Sequence, residues 1–234
     1  MHKPFSFISF LKDTFVPAFC PLCRKETDKG GICLDCHYEL ENAAYDDSRF
    51  GFEVDGYTVN CASVFSYKND KVKSLVVFMK KNTDSKVYLY TAARLARIIR
   101  SFCPSSDTFI TYVPRSESGL LENGFDQSEL IARMIARIIP SISFKRLLKR
   151  SGSSKAQKRL AGKHREENVK GKFRALKTDA SPKNIIITDD MYTTGASMRE
   201  CAAILKRAYP NAELFCITVA KKFSETGSIT ERII

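Results

Sequence analysis

The sequence predicts an α/β fold, a parallel sheet flanked by helices, preceded by a small N-terminal module built on four cysteines. Three observations lead there. From residue 108 onward, short apolar runs alternate with amphipathic helical stretches over tight links, the pattern of strands joined by crossover helices. Two CxxC pairs, Cys20/Cys23 and Cys33/Cys36, are separated by nine residues near the start. The 234 residues are 44% hydrophobic and 27% charged, enough for a sizeable core. No apolar run approaches the roughly 20 residues that span a bilayer, which argues against an integral membrane protein. Two units are expected: 1–45, an amphipathic segment and the cysteine module, and 46–234, the main domain.

Taken in order, residues 1–19 place Phe5, Phe7, Ile8, Phe10, Leu11, Phe15, Val16 and Phe19 at mixed spacing. That is compatible with a short amphipathic helix, packed on the body of the protein or lying peripherally on a membrane. Lys12 and Asp13 cut the apolar stretch and no small-residue cleavage site follows, so no signal peptide is expected and the cytoplasm is the expected compartment. Residues 40–62 read as irregular, with strands expected near Tyr57-Thr58-Val59 and over 62–67. Val72, Leu75, Val76 and Met79 predict a helix over 71–79. Leu89, Ala92, Ala93, Ala96, Ile99 and Phe102 predict a longer one over 86–102. A strand over 108–113 ends at Pro114, and a helix over 127–139 is closed by Pro140. Strands are expected over 142–147 and 171–176, and a short, fully apolar one over 184–188. A helix over 197–209 is closed by Pro210, and 213–219 is the last strand.

The cysteines divide into two kinds. Cys201 and Cys216 fall in apolar periodic segments and read as small core residues. The paired set can converge four thiolates on a tetrahedral ion, and the polar, turn-rich 24–31 between the pairs suits two knuckles. Disulfides fit a cytosolic chain badly, and a redox motif needs only one CxxC. Structural Zn²⁺ on Cys20, Cys23, Cys33 and Cys36 is therefore expected, with His37 a neighbour rather than a ligand.

Charge is concentrated. The chain holds 38 Lys+Arg and 26 Asp+Glu, a net of +12. Between Lys145 and Lys183 stand 14 basic and 3 acidic residues, so +11 of that excess lies in one sixth of the length. Such a run is either a solvated surface or a contact for an anionic partner: a small phosphorylated ligand, nucleic acid or an acidic membrane.

The segment that carries chemistry is 184–199. An apolar strand delivers Asp189 and Asp190 to its carboxyl end, where ligands of open α/β sheets bind. Thr193, Thr194, Gly195, Ala196 and Ser197 then form a compact turn that opens a helix. Its N–H groups and hydroxyls suit an anion, and Gly195 admits close approach of a phosphate. Carboxylates repel a phosphate but suit hydroxyl donors or a hard cation such as Mg²⁺. Phosphate on one side and diol or metal on the other describes a ribose 5-phosphate. Neither GxGxxG nor GxxxxGK[ST] occurs, against a dinucleotide or P-loop site.

Residues 185–197 resemble the phosphoribosyl-diphosphate (PRPP) motif of type I phosphoribosyltransferases. Three further features narrow the resemblance to the ComF family. Pro114 with Gly124-Phe125-Asp126-Gln127 resembles that family's Pro…Arg-Gly-Phe-Asn-Gln segment. Gln157-Lys158-Arg159-Leu160, Arg165 and Asn168-Val169-Lys170-Gly171-Lys172-Phe173 resemble its Gln…Leu…Arg…Asn…Gly…Phe segment, and the CxxC pairs lie where ComF proteins carry a zinc module. The resemblance implies a type I phosphoribosyltransferase-like sheet, with Asp189 and Asp190 on the ribose hydroxyls and 193–197 on the 5-phosphate. It further implies Arg115 in the pyrophosphate loop and a closing loop over 155–165; Lys155, Lys158, Arg159, Lys163, Arg165 and Lys170 are the candidate contacts for DNA or pyrophosphate. The departures fall in the pyrophosphate loop and at position 193. Residues 116–123 contain no Lys or Arg, Asn123 replaces the usual basic residue, and Thr193 stands where hypoxanthine-type transferases place an Asp.

Two functional expectations follow. The first is a protein of natural competence and DNA uptake, binding single-stranded DNA through the basic loop on a transferase fold that retains a PRPP or ribose 5-phosphate site. The second is an active, Mg²⁺-dependent phosphoribosyltransferase acting on a nucleobase or amine. Other competence proteins are the expected protein partners.

Overall fold

Helix and strand alternate as expected in a computed structural model of the chain, which describes residues 18–28, 30–44, 49–103, 107–151, 171–176 and 178–222. The expected helix over 1–19 lies outside these residues except for its last two, which form a strand. The cysteine module is the antiparallel pair β1 (Ala18–Phe19) and β2 (Glu26–Thr27), followed by helix α1 (Leu34–Asn42). Then come β3 (Arg49–Val54) and β4 (Tyr57–Ser66), helices α2 (Asp70–Lys81) and α3 (Ser85–Phe102), and β5 (Thr108–Tyr112). A short α4 (Glu117–Asn123) leads into α5 (Gln127–Ile138), β6 (Ile142–Phe144), β7 (Leu148–Arg150) and β8 (Phe173–Ala175). The chain continues through β9 (Asn184–Tyr192), α6 (Ala196–Ala208) and β10 (Glu213–Lys221).

Six strands make one sheet in the order β3-β4-β10-β9-β5-β6. Every neighbouring pair is parallel except the edge pair β3–β4. β7 and β8 form a separate antiparallel pair. Alternate residues of the central strands serve two apolar layers. Ile186, Phe215 and Ile217 join Leu75, Met79, Leu95, Ile99 and Ile131 on the side of α2, α3 and α5. Ile185, Ile187, Leu214 and Cys216 join Met198, Cys201, Ala202 and Leu205 of α6 on the other. A strand covered on both faces reads as a continuous apolar run, and Ile185-Ile186-Ile187 does. Cys201 and Cys216 are core residues, as expected. Leu40 of α1 enters the first layer, and Glu41 and Glu39 pair with Arg94 and Lys71, which seats α1 on α2 and α3. No helix among the described residues is long and apolar enough to cross a membrane.

Four expectations are corrected. Residues 40–62 are not irregular: α1 reaches Asn42, and 49–54 is an edge strand paired with β4. Asp55 and Gly56, at φ 48° and 82°, turn it in the two-residue hairpin manner. On α3 the buried stripe runs through Val87, Tyr88, Thr91, Ala92, Leu95, Ala96 and Ile99, leaving Leu89 half-exposed. The Tyr88 hydroxyl donates to the Met79 carbonyl at 2.7 Å and so lies buried. The strand expected over 142–147 ends at Phe144, and the next strand, β7, begins only at Leu148. Finally, β9 runs through both aspartates to Tyr192 rather than stopping at Thr188.

Candidate functional site: the carboxyl edge of the central strands

β5 ends at Tyr112, opposite Thr188, and the Val113 N–H makes one more bond to the Thr188 carbonyl. Beyond that point β9 is paired only with β10, so Asp189 and Asp190 border the gap left where residues 113–116 turn away. The N-terminus of α5 fills part of it. Asp126 caps that helix, its Oδ1 accepting from the N–H groups of Ser128 (3.0 Å) and Glu129 (3.3 Å), while its Oδ2 accepts from the Arg115 N–H at 2.7 Å. One carboxylate therefore starts α5 and fixes the backbone of Arg115. Ser128 ties the helix to the strand: its hydroxyl donates to Asp189 Oδ1 at 2.9 Å and its carbonyl accepts from the Thr188 hydroxyl at 3.2 Å.

Burial raises the pKa of Asp189 well above the usual carboxylate range, and the adjacent Asp190 charge acts in the same sense. The Asp190 N–H and the Ser128 hydroxyl oppose both. Asp190 is buried and joins a ring of polar contacts drawn from four segments. Its Oδ2 accepts from Gln127 Nε2 at 3.3 Å and pairs with Lys80 Nζ at 3.3 Å. Gln127 Oε1 accepts from Arg115 Nη1 at 2.7 Å, and the same Nη1 reaches the Lys80 carbonyl at 3.3 Å. The buried Gln127 amide thus couples the loop arginine to the strand aspartate. Gly119 makes room for Arg115, since a Cβ there would stand 2.6 Å from the arginine Nε. Arg150 of β7 holds the loop from the other side, donating to the Pro114 carbonyl at 3.3 Å.

Residues 193–197 follow Tyr192. Thr193 and Thr194 are exposed, and Gly195 is the left-handed N-cap of α6 at φ 73°. A Cβ on Gly195 would run into the Tyr192 ring and hydroxyl, so no other residue fits. Tyr192 is fixed by an edge contact with Phe50 (4.8 Å) and by Arg199, which donates to its hydroxyl at 3.3 Å. The start of α6 follows the acid pair within one turn, with the Ala196 N–H donating to the Thr194 hydroxyl at 3.4 Å.

The structure brings Asp189, Asp190, Arg115 and residues 193–197 to one edge of the sheet. Sequence reasoning did not single out Lys80, Ser128 or Arg150, and quoted Gln127 only as part of a motif. Lys80 carries no local signal, because it reaches the site by tertiary packing alone. Lys155, Lys158, Arg159, Lys163, Arg165 and Lys170 lie outside the described residues. Phe173 is buried, and Phe125 and Phe144 are partly buried against the core.

The second cluster is the cysteine module. The four Sγ atoms of Cys20, Cys23, Cys33 and Cys36 all lie within 4.8 Å of one another, a donor set able to hold a metal ion. The β1–β2 turn presents the first pair, with Arg24 at φ 64°, and the start of α1 presents the second. Burial raises the Cys20 thiol, but the N–H groups of Cys33, Leu22 and Cys23 outweigh it and bring the pKa down to about 7. Burial and the neighbouring thiols push Cys36 upward. His37 stands apart, its ring edge-on to Tyr90 at 5.1 Å.

No family model matches the chain. It is 25% identical over 186 residues to competence protein ComFC of Bacillus subtilis, covering 80% of this chain and 70% of that one. It is 21% identical over 211 residues to competence protein F of Haemophilus influenzae, covering 80% of this chain and 90% of that one. A 98-residue stretch is 29% identical to the DNA utilization protein YhgH of Escherichia coli, covering 42% of this chain and 43% of that one. Among solved structures, the xanthine-guanine-hypoxanthine phosphoribosyltransferase of Helicobacter pylori is similar at a TM-score of 0.38 and 9% identity, over 61% of this chain and 76% of that one. The two competence proteins bear out the resemblance to the ComF family.

Proposed function

We propose that this ComF-like chain handles single-stranded DNA in competence, on a fold that retains a site for PRPP or ribose 5-phosphate. The observation that carries the site is the adjacency, at one sheet edge, of the Asp189–Asp190 pair and the Gly195 turn that opens α6. Hydroxyl acceptors on one side and an N–H-rich helix start on the other match the two ends of a ribose 5-phosphate. Competence and DNA utilization are the roles in the names of its relatives. The basic 145–183 segment, with Lys155, Lys158, Arg159, Lys163, Arg165 and Lys170, supplies the electrostatics for a polyanion. Other competence proteins and an acidic membrane surface are the further partners of this reading.

Four thiolates without nitrogen or carboxylate donors suit Zn²⁺ in a closed structural site, which would hold the β1–β2 turn to α1. Mg²⁺ would accompany PRPP at the acid pair. A second reading, an active phosphoribosyltransferase, is favoured by the Arg115–Gln127–Asp190 connection, which ties the residue expected at the pyrophosphate to one of the acids expected on the ribose. A binding panel of labelled single-stranded DNA, duplex DNA and PRPP, each with and without Mg²⁺, tests both. DNA binding together with PRPP binding supports the first reading. PRPP binding without DNA binding moves the assignment to the second, and binding of neither ligand defeats both.

A further inference from the structure

Resting on the ribose-phosphate reading of this site, we propose that Lys80 is a ligand-binding residue whose ammonium bridges Asp190 to the diphosphate of a ribose 5-phosphate carrying a 1-diphosphate. Lys80 is the penultimate residue of α2, on an element that contributes no other group to the site. Both of its ends are engaged there. Nζ stands 3.3 Å from Asp190 Oδ2, and its carbonyl accepts from Arg115 at 3.3 Å, so one residue touches the ribose acids and the pyrophosphate loop together.

An ammonium has three N–H donors, and Asp190 takes one direction of the three. The side chain is 39% exposed, so the head group also faces the open side of the site. A diphosphate is multiply charged and needs cations that are already in place. Residues 116–123 offer no Lys or Arg and instead carry Glu117 and Glu122. Arg115 is turned inward onto Gln127. Lys80 is the cation that the polar ring leaves facing outward, and it can bind phosphate oxygens without leaving Asp190. A ribose diol needs no such charge, because hydroxyls donate to a carboxylate directly.

The alternative role, neutralising Asp190 alone, predicts something different. The test compares PRPP with ribose 5-phosphate by calorimetry at one fixed Mg²⁺ concentration, for the wild type, Lys80→Gln and Lys80→Arg. Lys80→Gln is expected to lower PRPP affinity roughly tenfold or more while leaving ribose 5-phosphate within about twofold, and Lys80→Arg to keep most of the PRPP affinity. An equal loss for both ligands, or no loss for either, overturns the bridging role and leaves the ribose-phosphate reading in place. A wild type that binds neither ligand overturns that reading and this role with it. Thermal melts of both variants check that the fold is intact.

Discussion

Asp189 sits where its charge is disfavoured, and that has a measurable consequence. Burial first, and then the Asp190 carboxylate, raise its pKa well above the ordinary range. An unfolded aspartate titrates near about 3.9. Between that value and the raised one, the folded chain keeps a proton that the unfolded chain has released. The contribution of this group to stability is therefore full at low pH and declines as pH rises through the folded pKa. Asp189→Asn keeps an oxygen for the Ser128 hydroxyl and the Asp190 N–H but carries no charge. It is expected to raise Tm at neutral pH by about 2–4 °C per kcal/mol gained, to flatten the pH dependence and to weaken PRPP binding. Melting curves across roughly pH 4 to 8 check this, and a lower Tm for Asp189→Asn at neutral pH would contradict it. The other two acids divide differently. Asp126 caps α5 and holds the Arg115 backbone, so Asp126→Ala should cost about 1–2 kcal/mol of stability. On the ribose-phosphate reading, Asp190→Ala should lower PRPP affinity far more than Asp126→Ala does, because that reading places Asp190 on the ribose and leaves Asp126 as the cap of α5. Equal losses in calorimetry would go against placing the ligand there.

At the scale of elements, two short units decide whether the site is assembled. The turn into α6 depends on Gly195, whose φ of 73° and contact with Tyr192 leave no space for a methyl group. Gly195→Ala should therefore displace either the turn or Tyr192, lowering both Tm and affinity for ribose 5-phosphate. Unchanged affinity would mean that the phosphate does not use this turn. The cysteine module is the second unit: a structural zinc at the proposed four-thiolate site would be worth on the order of 10 kcal/mol of folding free energy. Purified protein is expected to hold one zinc per chain, and a Cys20→Ser/Cys33→Ser variant none. Full zinc retention by that variant, or zinc-free wild type, would remove the assignment. These two units were legible because local chemistry defines them: cysteine spacing in one, two aspartates and a Thr-Thr-Gly turn in the other. β3 was not, because Phe50, Gly51 and Phe52 are all buried and break the alternation that marks a strand, though Asp55-Gly56 was the available turn signal. The face of α3 was misread by about one position, because Ala92 and Ala96 satisfy either rotation and the Tyr88–Met79 contact that selects one is tertiary. Lys80 and Ser128 join the site only through packing of α2 and α5 against β9, which periodicity does not encode.

At the scale of the whole molecule, charge is segregated. Outside 145–183 the chain is nearly neutral, and the carboxyl edge of the central strands carries Asp126, Asp189 and Asp190 against Arg115 and Lys80. A nucleic acid would be repelled by the acid pair and drawn to the basic segment, whose described ends, β7 and β8, are paired beside α6. The opposite charges of the acid pair and the basic segment make binding of a ribose phosphate and binding of a DNA strand, as proposed, separable by mutation. Single-stranded DNA is expected to bind with little sequence preference, each phosphate contact adding about −0.7 to the slope of log K against log salt. Replacing Lys158, Arg159 and Arg165 by Ala should weaken binding by a similar factor on every sequence and make the slope shallower by up to about 2. Meanwhile Asp190→Ala should leave DNA affinity and its salt slope as they are, because it removes no cation from the basic segment. If the triple variant instead lost PRPP affinity and kept its DNA binding, the basic segment would serve the diphosphate, and the phosphoribosyltransferase reading would replace the DNA-handling one.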